Sequence, residues 1–160
     1  MLKKLIFLFV LLSLPVGAQQ APDFALNSPD LPTQLAQLKG KVVYVDFWAS
    51  WCQPCRKSFP WMNALQQKYS SDAFVMLAVN VDSDKALADV FLQQVPANFP
   101  IVYDPNGEIA SKYDLLGMPS SFIINKQGEI VFSHTGFFEN KVADYQNEIE
   151  SLLNQSTAEN

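Results

Sequence analysis

Histidine and cysteine are nearly absent from this chain: one histidine and two cysteines among 160 residues. A structural zinc site takes four Cys/His ligands, so that class is excluded on ligand count. A copper carrier would have to combine both thiolates with His134, which lies about eighty residues further along the chain. Basic residues are also scarce, with 11 Lys and Arg against 16 Asp and Glu and a formal net charge of −5. A nucleic-acid partner is therefore not expected, since that footprint needs a clustered Lys/Arg face. The acidic excess reads as a solvated surface. No self-similar period suggests a solenoid or propeller, and no low-complexity tract interrupts a composition that is 49% hydrophobic.

Long apolar runs are missing too. The most apolar stretch, Leu5 to Leu14, falls short of the about 20 residues a permanent membrane helix needs. It follows Lys3 and Lys4 and precedes Val16-Gly17-Ala18, small residues at the −3 and −1 positions of a cleavage site. Residues 1–18 are expected to be a secretory signal peptide cut after Ala18, which places the rest in the periplasm. An uncleaved anchor is the alternative. No cysteine lies near the cleavage site, so lipid attachment there is excluded.

What remains is one domain, residues 19–155, followed by a polar tail at 156–160 that is expected to fray. Gln19 to Lys39 reads as a polar, Pro-containing lead-in. Lys41–Trp48 (KVVYVDFW) and Phe74–Val81 are nearly continuous apolar runs, as central buried strands are. Between them, Phe59, Met62, Leu65 and Tyr69 stripe one helical face, with Pro60 as a source of a kink. Asp82, Ser83 and Asp84 offer capping side chains before a helix over KALADVFLQQV. A short strand, Phe99–Tyr103, ends at the turn Asp104-Pro105-Asn106-Gly107, and a brief helix runs through Tyr113. SSFIIN and EIVFSH form a hairpin around Lys126-Gln127-Gly128, and Val142, Tyr145, Ile149, Leu152 and Leu153 stripe a final helix. The alternation predicts an α/β fold, a mixed central sheet with helices on both faces.

The two cysteines sit in FWASWCQPC, residues 47–55. As a staple, Cys52–Cys55 would close a loop too short to stabilise much. Its position is more informative: the strand ends at Trp48, a turn follows, and the next helix starts near Cys52. A thiol at a helix N-terminus meets unpaired N–H groups and the positive end of the dipole, and both favour thiolate. Arg56 and Lys57 add charge in the first turn. Cys52 is thus the expected nucleophile, and Cys55, one turn on, the resolving thiol. Pro54 sits early in the helix, where its missing N–H costs nothing. Asp46, inside VVYVDFW, is costly to bury unless protonated or paired, and desolvation should raise its pKa. Trp48, Phe47, Phe59 and Trp61 read as core.

FWASWCQPC resembles the active-site segment of the thioredoxin superfamily, and Gly117-Met118-Pro119-Ser120-Ser121-Phe122 is similar to its cis-proline loop. APDF, LKGKVV (38–43) and the segment 74–100 resemble, more narrowly, the exported TlpA/ResA-like thiol–disulfide oxidoreductases, which insert a β-strand and helix in the middle of the fold. The resemblance covers about residues 21–153. It implies a cis Met118-Pro119 bond, at which the backbone of Met118 is an edge for pairing with a substrate strand, and a Trp51 that contacts substrate. It also implies that Asp46 accepts the Cys55 proton through water. Thioredoxins have a lysine near this aspartate; here the matching residue is Ala78. Oxidising members often carry histidine between the cysteines. The uncharged Gln53-Pro54 instead implies a reductant, with oxidised exported proteins as clients, a membrane electron donor to recharge it, and no cofactor or metal. Members serving cytochrome c maturation often have a glutamate where this chain has Ser58, which favours a more general reductase. A monomer is expected. The alternatives are a peroxiredoxin-like peroxidase, for which Ser50 lies two rather than three residues ahead of Cys52, and a non-catalytic chaperone or copper carrier.

Overall fold

The computed structural model describes residues 19–69 and 73–155. The expected signal peptide and the expected frayed tail lie outside the described residues. Six strands form one mixed sheet: β1 (Gln19–Gln20), β2 (Val42–Trp48), β3 (Phe74–Asn80), β4 (Ile101–Tyr103), β5 (Ser120–Ile124) and β6 (Glu129–Thr135). Their spatial order is β1-β6-β5-β2-β3-β4. β2 pairs in parallel with β3, β3 in parallel with β4, and the remaining neighbours are antiparallel.

Every residue of β2 and β3 is buried, which is why their sequences are apolar without alternation. β2 nevertheless presents two different faces. Val42, Tyr44 and Trp48 pack with the helices α1 (Gln53–Lys68), α2 (Lys85–Gln94) and α3 (Val142–Leu153). Val43, Val45 and Phe47 pack with Phe24, Leu26, Leu35, Leu38 and Tyr113 on the other side. Helical segments cover both faces, but unequally: among the described residues the second face has only the single-turn 3-10 helices Leu35–Leu38 and Ala110–Lys112. The middle of the chain supplies α2 and β4, which extend the sheet beyond β3.

The lead-in is more structured than its polarity suggests. Gln19 and Gln20 add a strand against Ile130 and Glu129 of β6. Asp23 Oδ1 accepts from the Ala36 amide at 2.9 Å, and the Tyr113 hydroxyl donates to Pro22 O at 2.8 Å, so the segment is tied across the sheet. The turn after β4 closes at Gly107, whose φ of +70° favours glycine. Asp104 Oδ2 there accepts from the Ile109 and Ala110 amides. Pro60 lies inside α1. Among the described residues no helix is long and apolar enough to cross a membrane.

Candidate active site

The site forms where β2 hands over to α1. β2 ends beside β3, with the Val81 amide donating to Trp48 O at 3.0 Å. The turn Ala49–Trp51 is then fastened to the residues after β3: the Ser50 amide and hydroxyl both donate to the Asp82 carboxylate at 2.8 Å. Asn80 Nδ2 donates to the same carboxylate at 2.7 Å, and the Asp82 amide donates back to Asn80 Oδ1. Asn80 and Asp82 are buried. Asp82 was expected among the caps of α2. That role falls to Asp84 alone, which accepts from the Ala86 amide. Three candidate caps in a row cannot be told apart locally; Asp82 is held to the cysteine turn by its bonds from Ser50 and Asn80.

Cys52 is the N-cap of α1, and its Sγ accepts the Cys55 amide at 3.2 Å. This is the orphan-donor interaction that stabilises negative charge on sulfur at a helix start. Cys52 and Cys55 form a disulfide, with Cα atoms 5.3 Å apart. Cys55 is fully buried and Cys52 only 2% exposed, while Trp51 beside it is 66% exposed. The two cations of the first turn are engaged elsewhere. Arg56 stacks over the Phe91 ring and donates to Gln94, and Lys57 pairs with Glu139 at 2.9 Å. The helix end itself is therefore the nearer source of thiolate stabilisation. Ser58 is buried one turn on, its hydroxyl donating to Cys55 O.

The loop before β5 completes the rim. Met118-Pro119 is a cis peptide, and Pro119 lies just beyond Ser120, the partner of Phe47 in the last register pair of β2 with β5. The Ser120 hydroxyl donates to Gly117 O and the Gly136 amide to Pro119 O, both at 2.7 Å, which pins the loop from two sides. Pro119 is buried, and Met118 packs against the cluster that holds both cysteines. Leu116, two residues earlier, is 90% exposed, and sequence reasoning did not single it out.

Asp46 lies beneath, 1% exposed, with Oδ2 lacking any hydrogen-bond partner among the described residues. Burial pushes its carboxyl well above the usual carboxylate range. Its strand partners are Ala78 on one side and Ser121 on the other. On the β3 side the acid therefore has only a methyl group directly alongside it. Burial, and then the Asp46 charge, raise the Tyr44 hydroxyl well above the ordinary tyrosine value. The structure brings Cys52, Cys55, Trp51 and the Met118-Pro119 loop to one end of the sheet, with Asp46 one same-face position before Trp48. His134 is held elsewhere: its Nε2 lies 2.7 Å from Glu148 Oε2, and its ring packs on Tyr145. Among the described residues no three His, Cys, Asp or Glu side chains gather as a metal site would.

Residues 15–149 match the Redoxin family. The chain is 36% identical over 132 residues to the thiol–disulfide oxidoreductase ResA of Bacillus subtilis, covering 81% of this chain and 74% of that protein. It is 34% identical over 135 residues to ResA of Geobacillus kaustophilus, covering 82% and 75%. A putative thiol:disulfide interchange protein DsbE from Chlorobium tepidum superposes with a TM-score of 0.80 at 43% identity, over 85% of this chain and 96% of that one. Its neighbours share both the sheet and the cysteine chemistry that the strand-to-helix turn provides, and the chain belongs to the Redoxin family as a ResA-like thiol–disulfide oxidoreductase with a thioredoxin-like fold.

Proposed function

We propose that this oxidoreductase works as a reductant of exported proteins. The supporting observation is the setting of Cys52, a sulfur that caps a helix whose first positions, Gln53 and Pro54, bring no charge. Without a cation between the cysteines to favour the dithiol, the disulfide resists reduction and the dithiol gives up its electrons readily. Cys52 attacks the client disulfide, and Cys55 resolves the mixed disulfide after passing its proton through water to Asp46. Trp51 and the Met118 backbone at the cis Pro119 hold the client strand, the latter as an exposed edge for pairing.

Residues 1–18 act as a cleaved signal peptide, and 19–155 are the working domain. The setting is the periplasm, with oxidised exported proteins as clients and a membrane donor that re-reduces the pair. The chain acts as a monomer without nucleic acid. The extracytoplasmic setting fits a chain whose two cysteines are paired. A peroxidase would use a hydroxyl beside its cysteine, but the Ser50 hydroxyl is committed to Asp82. A copper carrier would use His134, which is committed to Glu148.

Equilibrating the Cys52–Cys55 pair against glutathione and dithiothreitol buffers tests the direction. A potential well below the about −120 mV of strong disulfide oxidants is expected; a value at that end would reverse the assignment.

A further inference from the structure

Asp46 stands in the middle of a row that crosses the sheet. The ladders align Ile101 of β4, Ala78 of β3, Asp46 of β2, Ser121 of β5 and His134 of β6. Residues opposite one another on adjacent strands share a face, here the face under the helices. Toward β3 the row offers Asp46 a methyl and a branched alkyl group, neither of which carries protons. Toward β5 it offers a hydroxyl and then an imidazole, each about 4.8 Å further on. Tyr44, two residues before Asp46 on the same face, meets the Ser121 side chain with its own hydroxyl. The row ends where His134 meets Glu148 at 2.7 Å, with side chains 22% and 21% exposed. Both ends of the row are partly exposed, but only the His134–Glu148 end carries groups that exchange protons with solvent.

A buried carboxyl that accepts a proton has to lose it again before the next cycle. Asp46 is 1% exposed, and above it Cys52 and Cys55 are 2% and 0% exposed. During turnover the client also covers that exit. We propose that the Cys55 proton leaves sideways across the sheet, from Asp46 through the Ser121 hydroxyl, with the Tyr44 hydroxyl beside it, to the His134–Glu148 pair and on to solvent. The inference rests on the proton-accepting role of Asp46 proposed above.

The balance is simple. The Cys52 thiolate bonds to one client sulfur, and the other client sulfur departs with the electron pair of the broken bond. The Cys55 S–H gives its proton to the Asp46 carboxylate. The Cys55 sulfur then bonds to Cys52, expelling the second client thiolate. The client has gained two electrons and the pair has lost them. The one proton passes to the Ser121 oxygen as that hydroxyl gives its own proton onward, so Ser121 ends neutral. Imidazole is the side chain suited to exchange protons with water between pH 5 and 8. On the sheet Asp46 is flanked by Tyr44 on β2, Ser121 on β5 and Ala78 on β3, Cys52 and Cys55 of α1 belong to the cluster packed on this face, and the titratable groups around the Tyr44 hydroxyl are Asp46 and, on α3, Tyr145 and Glu148. Glu148 and Tyr145 face His134.

The test is a single-turnover reaction of the reduced full chain with oxidised glutathione from pH 5 to 8, following closure of the Cys52–Cys55 bond. His134→Gln should slow closure about tenfold, below the 10²–10⁴ of direct acid–base catalysis, because the residue acts through Asp46. Its rate should lose the wild-type pH dependence and recover with added imidazole, at an unchanged reduction potential. Ser121→Ala should slow closure similarly without imidazole rescue, since its gap lies inside the sheet. Glu148→Gln gives a second probe of the outer end, with a smaller loss in the same direction. A His134→Gln rate and pH profile equal to wild type would overturn the relay. So would a loss that imidazole does not restore and that comes with a shifted potential. If Asp46→Asn closes the bond at the wild-type rate, the role of Asp46 fails and the relay with it. A wild-type chain that does not reduce glutathione disulfide at all would instead overturn the functional reading.

Discussion

The two faces of β2 differ by one residue of register and by almost everything else. On one face Val43, Val45 and Phe47 meet Phe24, Leu26, Leu38 and Phe122, an aliphatic and aromatic core. On the other, Tyr44, Asp46 and Trp48 alternate under α1 and α3, and the same face carries Ser121, both cysteines and two unpartnered buried atoms, Asp46 Oδ2 and Trp48 Nε1. Because side chains alternate strictly along a strand, a protein can place reactive groups a few ångströms from its core without mixing the two. Both faces are packed apolar cores, and the helix-covered one, with Phe59, Met62, Phe91 and Ile149, keeps a costly carboxyl as well.

The largest effect should come from the reactive face. Cys52→Ser should bring insulin reduction by dithiothreitol-recycled protein down to the uncatalysed background, with the melting temperature little changed, because a three-residue disulfide spacing constrains the unfolded chain only slightly. Retained turnover would break the division of labour at its root. On the opposite face, Phe47→Ala removes a fully buried ring that touches Tyr113 and Phe122 and should cost about 3–5 kcal/mol in urea denaturation. Molecules that remain folded should keep the wild-type reduction potential. A shifted potential would show that the faces communicate.

Much of this division was legible in the chain. The continuous apolar run of β2, the turn and the helix stripe placed Cys52 at a helix start, and the acid inside VVYVDFW announced itself by being out of place. Less legible was everything set by pairing between distant strands. That Ser121 and His134 share a row with Asp46 depends on the β5 and β6 registers, which no local pattern specifies. Gln19 and Gln20 have no strand character of their own and become one only by joining the edge of β6. The Ser50–Asp82 latch was missed because a row of Asp, Ser and Asp before a helix reads as capping, and only the partner from a distant turn, Ser50, separates Asp82 from Asp84.

Asp46→Asn sharpens the contrast with a gain. Burial raises the folded-state pKa of this acid, so the folded chain holds its proton more tightly than the unfolded one. The stability that goes with protonation is complete below the unfolded value, about 3.9, and is lost as pH rises toward the folded value. An amide cannot ionise, so the variant should be more stable than wild type at neutral pH by about 1–3 kcal/mol, the scale of one uncompensated buried polar group. The gap should close in acid. Equal stabilities at pH 7 would mean that the carboxyl is solvated or paired, and the reactive face no more costly than the other. Ser50→Ala, which removes one of the two bonds the turn makes to Asp82, should cost about 1 kcal/mol in urea denaturation.

The smallest effect belongs to the surface edge of the reactive face, where α3 meets the end of α1. Glu150 bonds Lys68 at 2.8 Å and also accepts from Tyr69 and Gln146; these contacts, Lys68 first, lower its carboxyl to about 2. A depressed folded-state value gives stability that is present above the unfolded value, about 4.3, and lost as pH falls toward 2. The group is exposed, and solvent screens it, so the contribution is slight. Glu150→Gln should therefore melt slightly below wild type at pH 7, the difference should shrink in 1 M salt and disappear near pH 2, and disulfide reduction should proceed at the wild-type rate. A change in that rate would mean that the α1–α3 clamp helps to set the geometry at Cys52, so that the reactive face reaches as far as the last turn of α1.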